Sequence, residues 1–225
     1  MCGRNSVFAP QPDLEYRFDA KVAGDYQPRY NIAPSEPTEV VTNESQDVID
    51  QFRWGLVPSW AENPDRGLIN ARSETAHEKP SFRDAWAKRP CLVPSSGFYE
   101  WKASGGAKEP YRIYRKDDEV FAFAGLWEEW TSDGGDSLRT VTILTTEPNE
   151  TVSPIHNRMP VILPEDEEDR WLNADAEERM DLCRPYPSDD LDAYTISTRV
   201  NDPSNDDARV IEPLGNEQSG LGEFA

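Results

Sequence analysis

The sequence predicts an α+β protein whose main element is a mostly antiparallel, barrel-like β-sheet with helices at its flanks. Two observations lead to this fold class. Segments rich in β-branched and aromatic residues dominate the middle of the chain, whereas patterns typical of helices are few. The 19 prolines are spread along the whole chain, so they separate short elements and do not mark one linker.

The predicted strands contain mostly Val, Ile, Thr, Tyr, Phe and Trp and are bounded by turn residues. They cover residues 38–42, 91–101, 111–115, 121–130, 139–146 and 159–163. Three helices are also predicted. The first, 81–89, begins with a Ser after a Pro, the second, 165–173, has acidic residues in its first turn, and the third follows at 175–183.

Length and composition favour one domain over residues 1–225, since 225 residues with 36% hydrophobic content suffice for a single core. No stretch approaches the roughly 18 apolar residues of a membrane span, and no export signal is visible, so we expect a cytoplasmic protein. The cysteines fit neither a disulfide framework nor a zinc pattern. We expect no metal and no cofactor, with Cys91 and Cys183 buried and inert.

The negative charge is concentrated in the second half of the chain. Residues 1–110 hold 13 Lys and Arg against 16 Asp and Glu, whereas residues 111–225 hold 10 against 27, giving a net charge of −20 overall. Such a balance argues against a generally basic nucleic-acid-binding surface. Residues 53–89 reverse it locally, with seven basic residues against five acidic ones. The acidic runs and the acidic tail at 215–225 favour a surface adapted to concentrated salt, as in a halophilic protein.

Several polar residues stand where a core strand has no use for them. In "LINARSET" (68–75), Asn70 and Arg72 have alternate spacing and can share a face. In "SSGFYEW" (95–101), Glu100 lies between aromatic residues, which favours a raised carboxyl pKa and proton transfer. Each has an ordinary alternative, namely a backbone contact for Asn70, a surface ion pair for Arg72 and an edge-strand position for Glu100.

Two further residues, His156 and Cys2, are candidates for a functional role. His156 lies in a turn that leads into the strand "MPVIL", and a single histidine of this kind is often structural. Cys2 becomes a 1,2-aminothiol if Met1 is removed. A cysteine near the start is weak evidence for catalysis by itself.

In order along the chain, these segments resemble the signatures of the SRAP family, the SOS-response-associated peptidases. The matching segments are "MCGR", "RYNIAP", "WGLVPSW", "INARSET", "PSFRDAW", "RPCLVPSSGFYEW", "FAFAGLWEEW", "TILTTEPN", "IHNRMPVIL" and "VNDPSND", from residue 2 to about residue 214. The resemblance implies a protein that cross-links to abasic sites in single-stranded DNA. It also implies roles for eight residues: catalytic roles for Cys2, Asn70, Glu100 and His156, and DNA contacts for Arg4, Arg72, Trp60 and Thr145.

Elementary chemistry agrees with this function. An α-amine has a pKa of about 7.7 to 8.0, so it is substantially neutral near neutral pH and can attack the aldehyde of an opened abasic sugar. The neighbouring thiol of Cys2 can then close a thiazolidine ring, which no internal cysteine can form. Glu100 and His156 would move the protons, and the sequence leaves open which of them acts as acid or base at each step.

Other functions remain open at this point. An N-terminal-nucleophile amidohydrolase, such as a glutaminase, also begins "MCG" and uses the freed amine as a base. A non-covalent DNA-binding module in which Cys2 is incidental is a second alternative. The family's name suggests self-directed peptidase action at Met1, and lyase-like chemistry is also conceivable at such a site. We expect a monomer that binds single-stranded DNA with abasic sites and does not bind membranes.

Overall fold

Two β-sheets organise the protein, and the larger one closes into a barrel. The computed structural model describes residues 3–117 and 119–214. The described strands are β1 (Asn5–Val7), β2 (Lys21–Val22), β3 (Arg29–Ile32), β4 (Pro37–Thr42), β5 (Ser45–Trp54), β6 (Asn70–Arg72), β7 (Pro90–Ser95), β8 (Gly97–Ser104), β9 (Ala107–Arg115), β10 (Phe121–Thr131), β11 (Ser137–Thr146), β12 (Met159–Pro160), β13 (Ile162–Leu163) and β14 (Leu191–Thr195). The helices are α1 (Gln11–Phe18), α2 (Ser73–Ala76), α3 (Arg83–Lys88) and α4 (Glu165–Asn173).

The barrel consists of β5, β4, β7, β10 and β11. Neighbouring strands in this order pair antiparallel. A parallel pairing of β11 with β5, in which Thr140 aligns with Arg53 and Val141 with Trp54, closes the ring. The short strands β2, β6, β12 and β13 add to the barrel strands. The predicted fold class, a mostly antiparallel barrel-like sheet with flanking helices, is confirmed.

The second sheet has the antiparallel order β14-β9-β8-β1-β3. The chain passes from the barrel into this sheet at Ser96, between β7 and β8. Gly97 has a φ of +143°, and a Cβ atom there would lie 3.0 Å from the Ile113 carbonyl oxygen. The single strand predicted over 91–101 is therefore wrong, because this turn divides it between two sheets.

Aromatic contacts fill the spaces around the barrel. Phe98 of β8 packs edge-on against Phe123 of β10, with ring centroids 5.7 Å apart, and so joins the two sheets. On α4, the Trp171 indole N–H donates to the Cys91 carbonyl oxygen at 2.9 Å. Trp171 also meets Trp86 of α3 edge-on at 6.0 Å. The flanking helices thus pack on the barrel through tryptophan.

The helix predicted over 175–183 is wrong. A 3-10 helix covers only Glu178–Leu182. The Asp175 carboxylate accepts hydrogen bonds from the backbone N–H groups of Glu177 and Glu178, each at 2.9 Å, which makes a local turn before the helix begins. Pro185 follows shortly afterwards and disfavours a helical conformation for the residue before it.

One further strand prediction needs correction, and the predicted C-terminal tail cannot be compared with the structure. The strand predicted at 159–163 is interrupted at Val161, whose backbone pairs with Leu144 and Ala124 between β12 and β13. The predicted acidic tail at 215–225 lies outside the described residues. None of the helices in the described part of the chain has the length and apolarity needed to cross a membrane.

Candidate active site

A pinched loop between β5 and β6 presents an exposed tryptophan. At its base Leu56 and Leu68 pair as an isolated bridge. A Cβ atom on Gly67 would lie 2.4 Å from the Gly55 carbonyl oxygen, so only glycine permits this close approach of the two backbones. Within the loop, Trp60 is 62% exposed. The loop therefore presents an exposed aromatic surface.

Asn70 and Arg72 lie on β6, directly after this loop. β6 pairs parallel with β11, where Asn70 aligns with Ile143 and Arg72 with Thr145. Ala71, between them, is buried in the core, whereas Asn70 is half-buried and Arg72 is exposed. The predicted alternation is confirmed, since both polar side chains lie on the face opposite Ala71.

Thr145 is the centre of a polar network on β11. Its side chain is fully buried, and its hydroxyl lies 3.4 Å from the Ala71 carbonyl oxygen. The Arg158 guanidinium donates to the Thr145 carbonyl oxygen at 2.5 Å and to its hydroxyl at 3.3 Å. Arg158 also forms a bidentate ion pair with Glu74 of α2, at 2.6 and 2.9 Å. Thr145 thus contacts the site through its neighbours and presents no exposed surface of its own.

His156 closes a turn that links β11 to β12. The Asn149 side-chain oxygen accepts from the Val152 N–H at 3.0 Å, and the Val152 carbonyl oxygen accepts from the His156 N–H at 2.9 Å. The imidazole Nδ1 lies 3.1 Å from the Arg158 backbone nitrogen and 3.0 Å from its carbonyl oxygen. Partial burial lowers the pKa of His156 below its ordinary value. The ring is therefore held at Nδ1 and tends towards the neutral form.

Glu100 lies on β8 in the other sheet and is only 2% exposed. Burial raises its pKa to about 7. The raised value agrees with the prediction, but its cause differs. The neighbouring Tyr99 and Trp101 pack in a separate small cluster on the opposite face of the strand, whereas Glu100 shares the face of Phe98, which packs on the barrel.

Arg4 belongs to the segment that pairs with β8. Asn5 aligns with Phe98, Ser6 aligns with Gly97, and the Tyr99 N–H donates to the Arg4 carbonyl oxygen at 3.1 Å. Continued by two residues beyond Asn5, this register places Arg4 opposite Tyr99 and Gly3 opposite Glu100. The Arg4 guanidinium donates to the Asn201 carbonyl oxygen at 3.4 Å. Its pKa is lowered because it is partly buried.

The described site residues fall into two groups, one on each sheet. We call Glu100 and Arg4, on the five-stranded sheet, the Glu100 cluster, although their side chains lie on opposite faces, since Arg4 lies opposite Tyr99. The His156 cluster, on the barrel, consists of Asn70, Arg72, Glu74, Thr145, His156 and Arg158.

The segment after β3 connects the two clusters. The negative charge of Glu36 acts on Arg4, and the Ser35 N–H donates to the Trp54 carbonyl oxygen at 2.7 Å. The Trp54 indole N–H in turn donates to the Ile69 carbonyl oxygen at 2.9 Å, directly before Asn70. Seven of the eight predicted site residues lie in these clusters or on the neighbouring loop, whereas Cys2 lies outside the described residues.

Sequence reasoning missed Glu74 and Arg158, although both belong to segments that it singled out. The pairing of one acidic and one basic residue 84 positions apart gives no signal in a single sequence. Of the other two cysteines, Cys91 is buried as predicted, whereas Cys183 is half-buried, so the prediction of burial is wrong for Cys183. Burial raises the pKa of Cys183 to about 12 and that of Cys91 well above its usual range, so both thiols stay protonated. Among the described residues, no group of His, Cys, Asp and Glu side chains is suited to hold a metal ion.

The fold is a β-barrel with a second sheet, and it carries two side chains with shifted pKa values, Glu100 on the strand that pairs with β1 and His156 in the turn after β11. The family model for SOS response associated peptidase (SRAP) matches residues 1–203, and the chain belongs to this family. It is 42% identical over 222 residues to the abasic site processing protein YoqW of Bacillus subtilis (strain 168), a match that covers 94% of this chain and 99% of YoqW.

The chain is also similar to a vertebrate relative and to a solved bacterial structure. The abasic site processing protein HMCES of Gallus gallus is 34% identical, and the match covers 85% of this chain and 68% of HMCES. A solved structure of a protein from Bacteroides thetaiotaomicron superposes with a TM-score of 0.87 at 31% identity, covering 95% of this chain and all of that one.

Proposed function

We propose that this protein recognises abasic sites in single-stranded DNA and cross-links to them through Cys2. The observation that carries the proposal is Glu100, a buried carboxyl group with a pKa of about 7 on the strand that pairs with the N-terminal segment. Such a group can both give and accept a proton near neutral pH. Membership of a family whose relatives are named abasic site processing proteins supports the same substrate.

The proposed reaction needs no cofactor. The neutral α-amine of Cys2 attacks the aldehyde carbon of the opened abasic sugar, and the carbinolamine loses one water to give an imine. The Cys2 thiol then adds to the imine carbon, so that a C–S bond forms and the nitrogen receives the thiol proton. Glu100 and His156 transfer the protons that ring opening, water loss and ring closure require.

The other site residues serve to hold the substrate. Asn70 orients the α-amine, and the exposed Arg72 pairs with a phosphate flanking the lesion. Arg4, on the Tyr99 face of the same sheet, is assigned to the backbone of the DNA. Trp60 stacks on a base. The buried Thr145 acts near the lesion by supporting β6 and Arg158.

The reaction requires that Met1 be removed, because only then does Cys2 carry a free α-amine. We propose that the protein itself can catalyse this removal, as the family's name suggests, and that any lyase activity uses the same imine. The acid-rich surface suits a salty, halophilic cytoplasm in which a covalent bond replaces weakened electrostatic binding. We expect a monomer, since one chain supplies every proposed site residue.

The test is a cross-linking assay with a single-stranded oligonucleotide that carries one abasic site. The parent protein should give a product that survives heating, whereas Cys2→Ser should give only an imine that borohydride traps. Cys183→Ser, a thiol outside the two clusters, is the matched control and should behave like the parent. Equal heat-stable product from Cys2→Ser would contradict the ring-closing mechanism, and ammonia release from glutamine without any cross-link would favour the amidohydrolase.

A further inference from the structure

We infer that Glu74 and Arg158 are positioning residues for His156, and that their ion pair holds the turn 156–158 so that Nε2 is the ring nitrogen that exchanges protons with the sugar. The inference rests on the proposed function only for the identity of the sugar. The geometry that supports it lies entirely within the His156 cluster and concerns one turn, one strand and one short helix.

The Arg158 guanidinium is held by two partners, Glu74 and Thr145. Glu74, on α2, binds its guanidinium through both carboxylate oxygens, at 2.6 and 2.9 Å. The Thr145 carbonyl oxygen on β11 accepts a third hydrogen bond at 2.5 Å. The Arg158 side chain therefore joins the turn 156–158 to the end of β11 and to the helix that follows β6.

This ion pair differs from a typical surface pair. Exposed pairs stabilise proteins little, because solvent screens them and long side chains lose entropy. Here the Arg158 side chain is only 12% exposed, although Glu74 is 47% exposed. The geometry is also bidentate, which is the strong arrangement for arginine and a carboxylate. The Arg158 contact lowers the pKa of Glu74, so the carboxylate stays charged at neutral pH.

The Arg158 backbone then fixes the imidazole. Its N–H, 3.1 Å from Nδ1, can donate to the Nδ1 lone pair, and its carbonyl oxygen, 3.0 Å away, can accept from a protonated Nδ1. Only the second arrangement leaves the lone pair of the neutral ring on Nε2. With Nδ1–H donating to the Arg158 carbonyl oxygen, the ring gains a proton at Nε2 and loses it again without reorienting during the reaction.

The test measures the tautomer of His156 independently of activity. The chain has two histidines, so the imidazole ¹⁵N spectrum contains two sets of signals. A short histidine peptide supplies the reference for an unconstrained ring, because Nε2 of His77 lies 3.5 Å from the Glu78 carboxylate. The parent should show ¹⁵N shifts for His156 that indicate a dominant Nδ1–H tautomer in the neutral ring, and a dominant Nε2–H tautomer would contradict the inference. Glu74→Gln should move them towards the averaged values of the peptide, and Glu74→Asp, which keeps the carboxylate, should lie closer to the parent.

Glu44→Gln removes the same charge from the exposed turn between β4 and β5 and is the matched control. It should match the parent. The cross-linking rate of Glu74→Gln should fall by about tenfold to a hundredfold, as for a misplaced catalytic group, with binding of undamaged DNA unchanged.

Parent-like ¹⁵N shifts in folded Glu74→Gln would overturn the inference. If Glu74→Gln fails to fold, Arg158→Lys, which keeps the charge but loses the bidentate contact, decides by the same spectrum. Should the parent fail to cross-link abasic DNA, the proposed function is wrong, and the ¹⁵N shifts still decide whether Glu74 positions His156.

Discussion

Each of the two clusters contains a glutamate, and the pKa values of these two glutamates are shifted in opposite directions. In the Glu100 cluster, burial dominates and raises the pKa of Glu100 to about 7. In the His156 cluster, the hydrogen bonds from Arg158 dominate and lower the pKa of Glu74. One glutamate is therefore suited to proton transfer at neutral pH, whereas the other is a permanent anion that organises its neighbours. Under the proposed function, the reactive carboxyl is the one that burial perturbs on the five-stranded sheet, and the positioning carboxylate is the one that an ion pair fixes on the barrel.

The largest effect should follow from removing the proton that Glu100 exchanges. Glu100→Gln keeps the shape of the side chain, and its cross-linking rate should fall by roughly 10² to 10⁴, the range of a positioned acid or base. Glu39→Gln is a close control, because Glu39 on β4 is also 2% exposed and burial also raises its pKa. Single-turnover kinetics should separate the two variants, and equal rates would place Glu100 among the structural residues.

A smaller loss of rate is expected for His156→Ala, about 10²-fold on a closed abasic sugar, at the lower end of the same range. Because we assign His156 to sugar opening, a substrate that presents an already open aldehyde should restore much of the rate. His77→Ala, in an exposed residue outside both clusters, should not change it. An equal defect on both substrates would assign His156 to a later step.

The stability of the protein should depend on pH through Glu100. Its pKa is about 7 in the folded protein and near 4.5 when unfolded, so the folded state binds more protons between these values. This contribution to stability is fully present below pH 4.5 and is lost as pH rises through 7. Glu100→Gln should therefore be more stable than the parent at pH 8, by at most about 3 kcal/mol. Denaturant unfolding at pH 4.5 and pH 8 measures the difference, which should vanish at the lower pH.

The smallest effect concerns the exposed Arg72. Arg72→Ala should weaken binding to undamaged single-stranded DNA and reduce the slope of log affinity against log salt by about 1, as expected for one lost phosphate contact. Arg170→Ala removes an exposed arginine from α4 and should leave the slope unchanged. Titrations at several salt concentrations decide between a phosphate contact and an ordinary surface residue.

The barrel-like fold could be predicted because strands such as β10 and β11 consist mainly of β-branched, aromatic and other apolar residues, which are typical of buried strands. It did not predict β5, whose sequence "SQDVIDQFRW" carries Asp47, Asp50 and Arg53 among its apolar residues. That segment is a strand because β4 and β11 both pair with it, which closes the barrel. Pairing between distant strands decides such elements, and local composition does not report it.

For the candidate site, too, local features could be predicted from the sequence, whereas contacts between distant segments could not. The alternation of Asn70 and Arg72 follows from strand geometry and is visible in three residues. The raised pKa of Glu100 was predicted from its aromatic neighbours, but it arises from burial against the barrel. The bridge from Glu74 to Arg158 depends on tertiary contacts alone, so neither residue could be distinguished from a surface charge.

Intact mass spectrometry of the protein, mixed with a single-stranded oligonucleotide bearing one abasic site, tests the central claim most directly. We expect a protein that lacks Met1 and an adduct whose mass is the sum of protein and oligonucleotide less one water. Borohydride should leave the parent adduct unchanged, because a thiazolidine has no C=N bond, whereas the Cys2→Ser adduct should gain two hydrogens. An adduct formed by protein that retains Met1, or a parent adduct that borohydride reduces, would contradict the account.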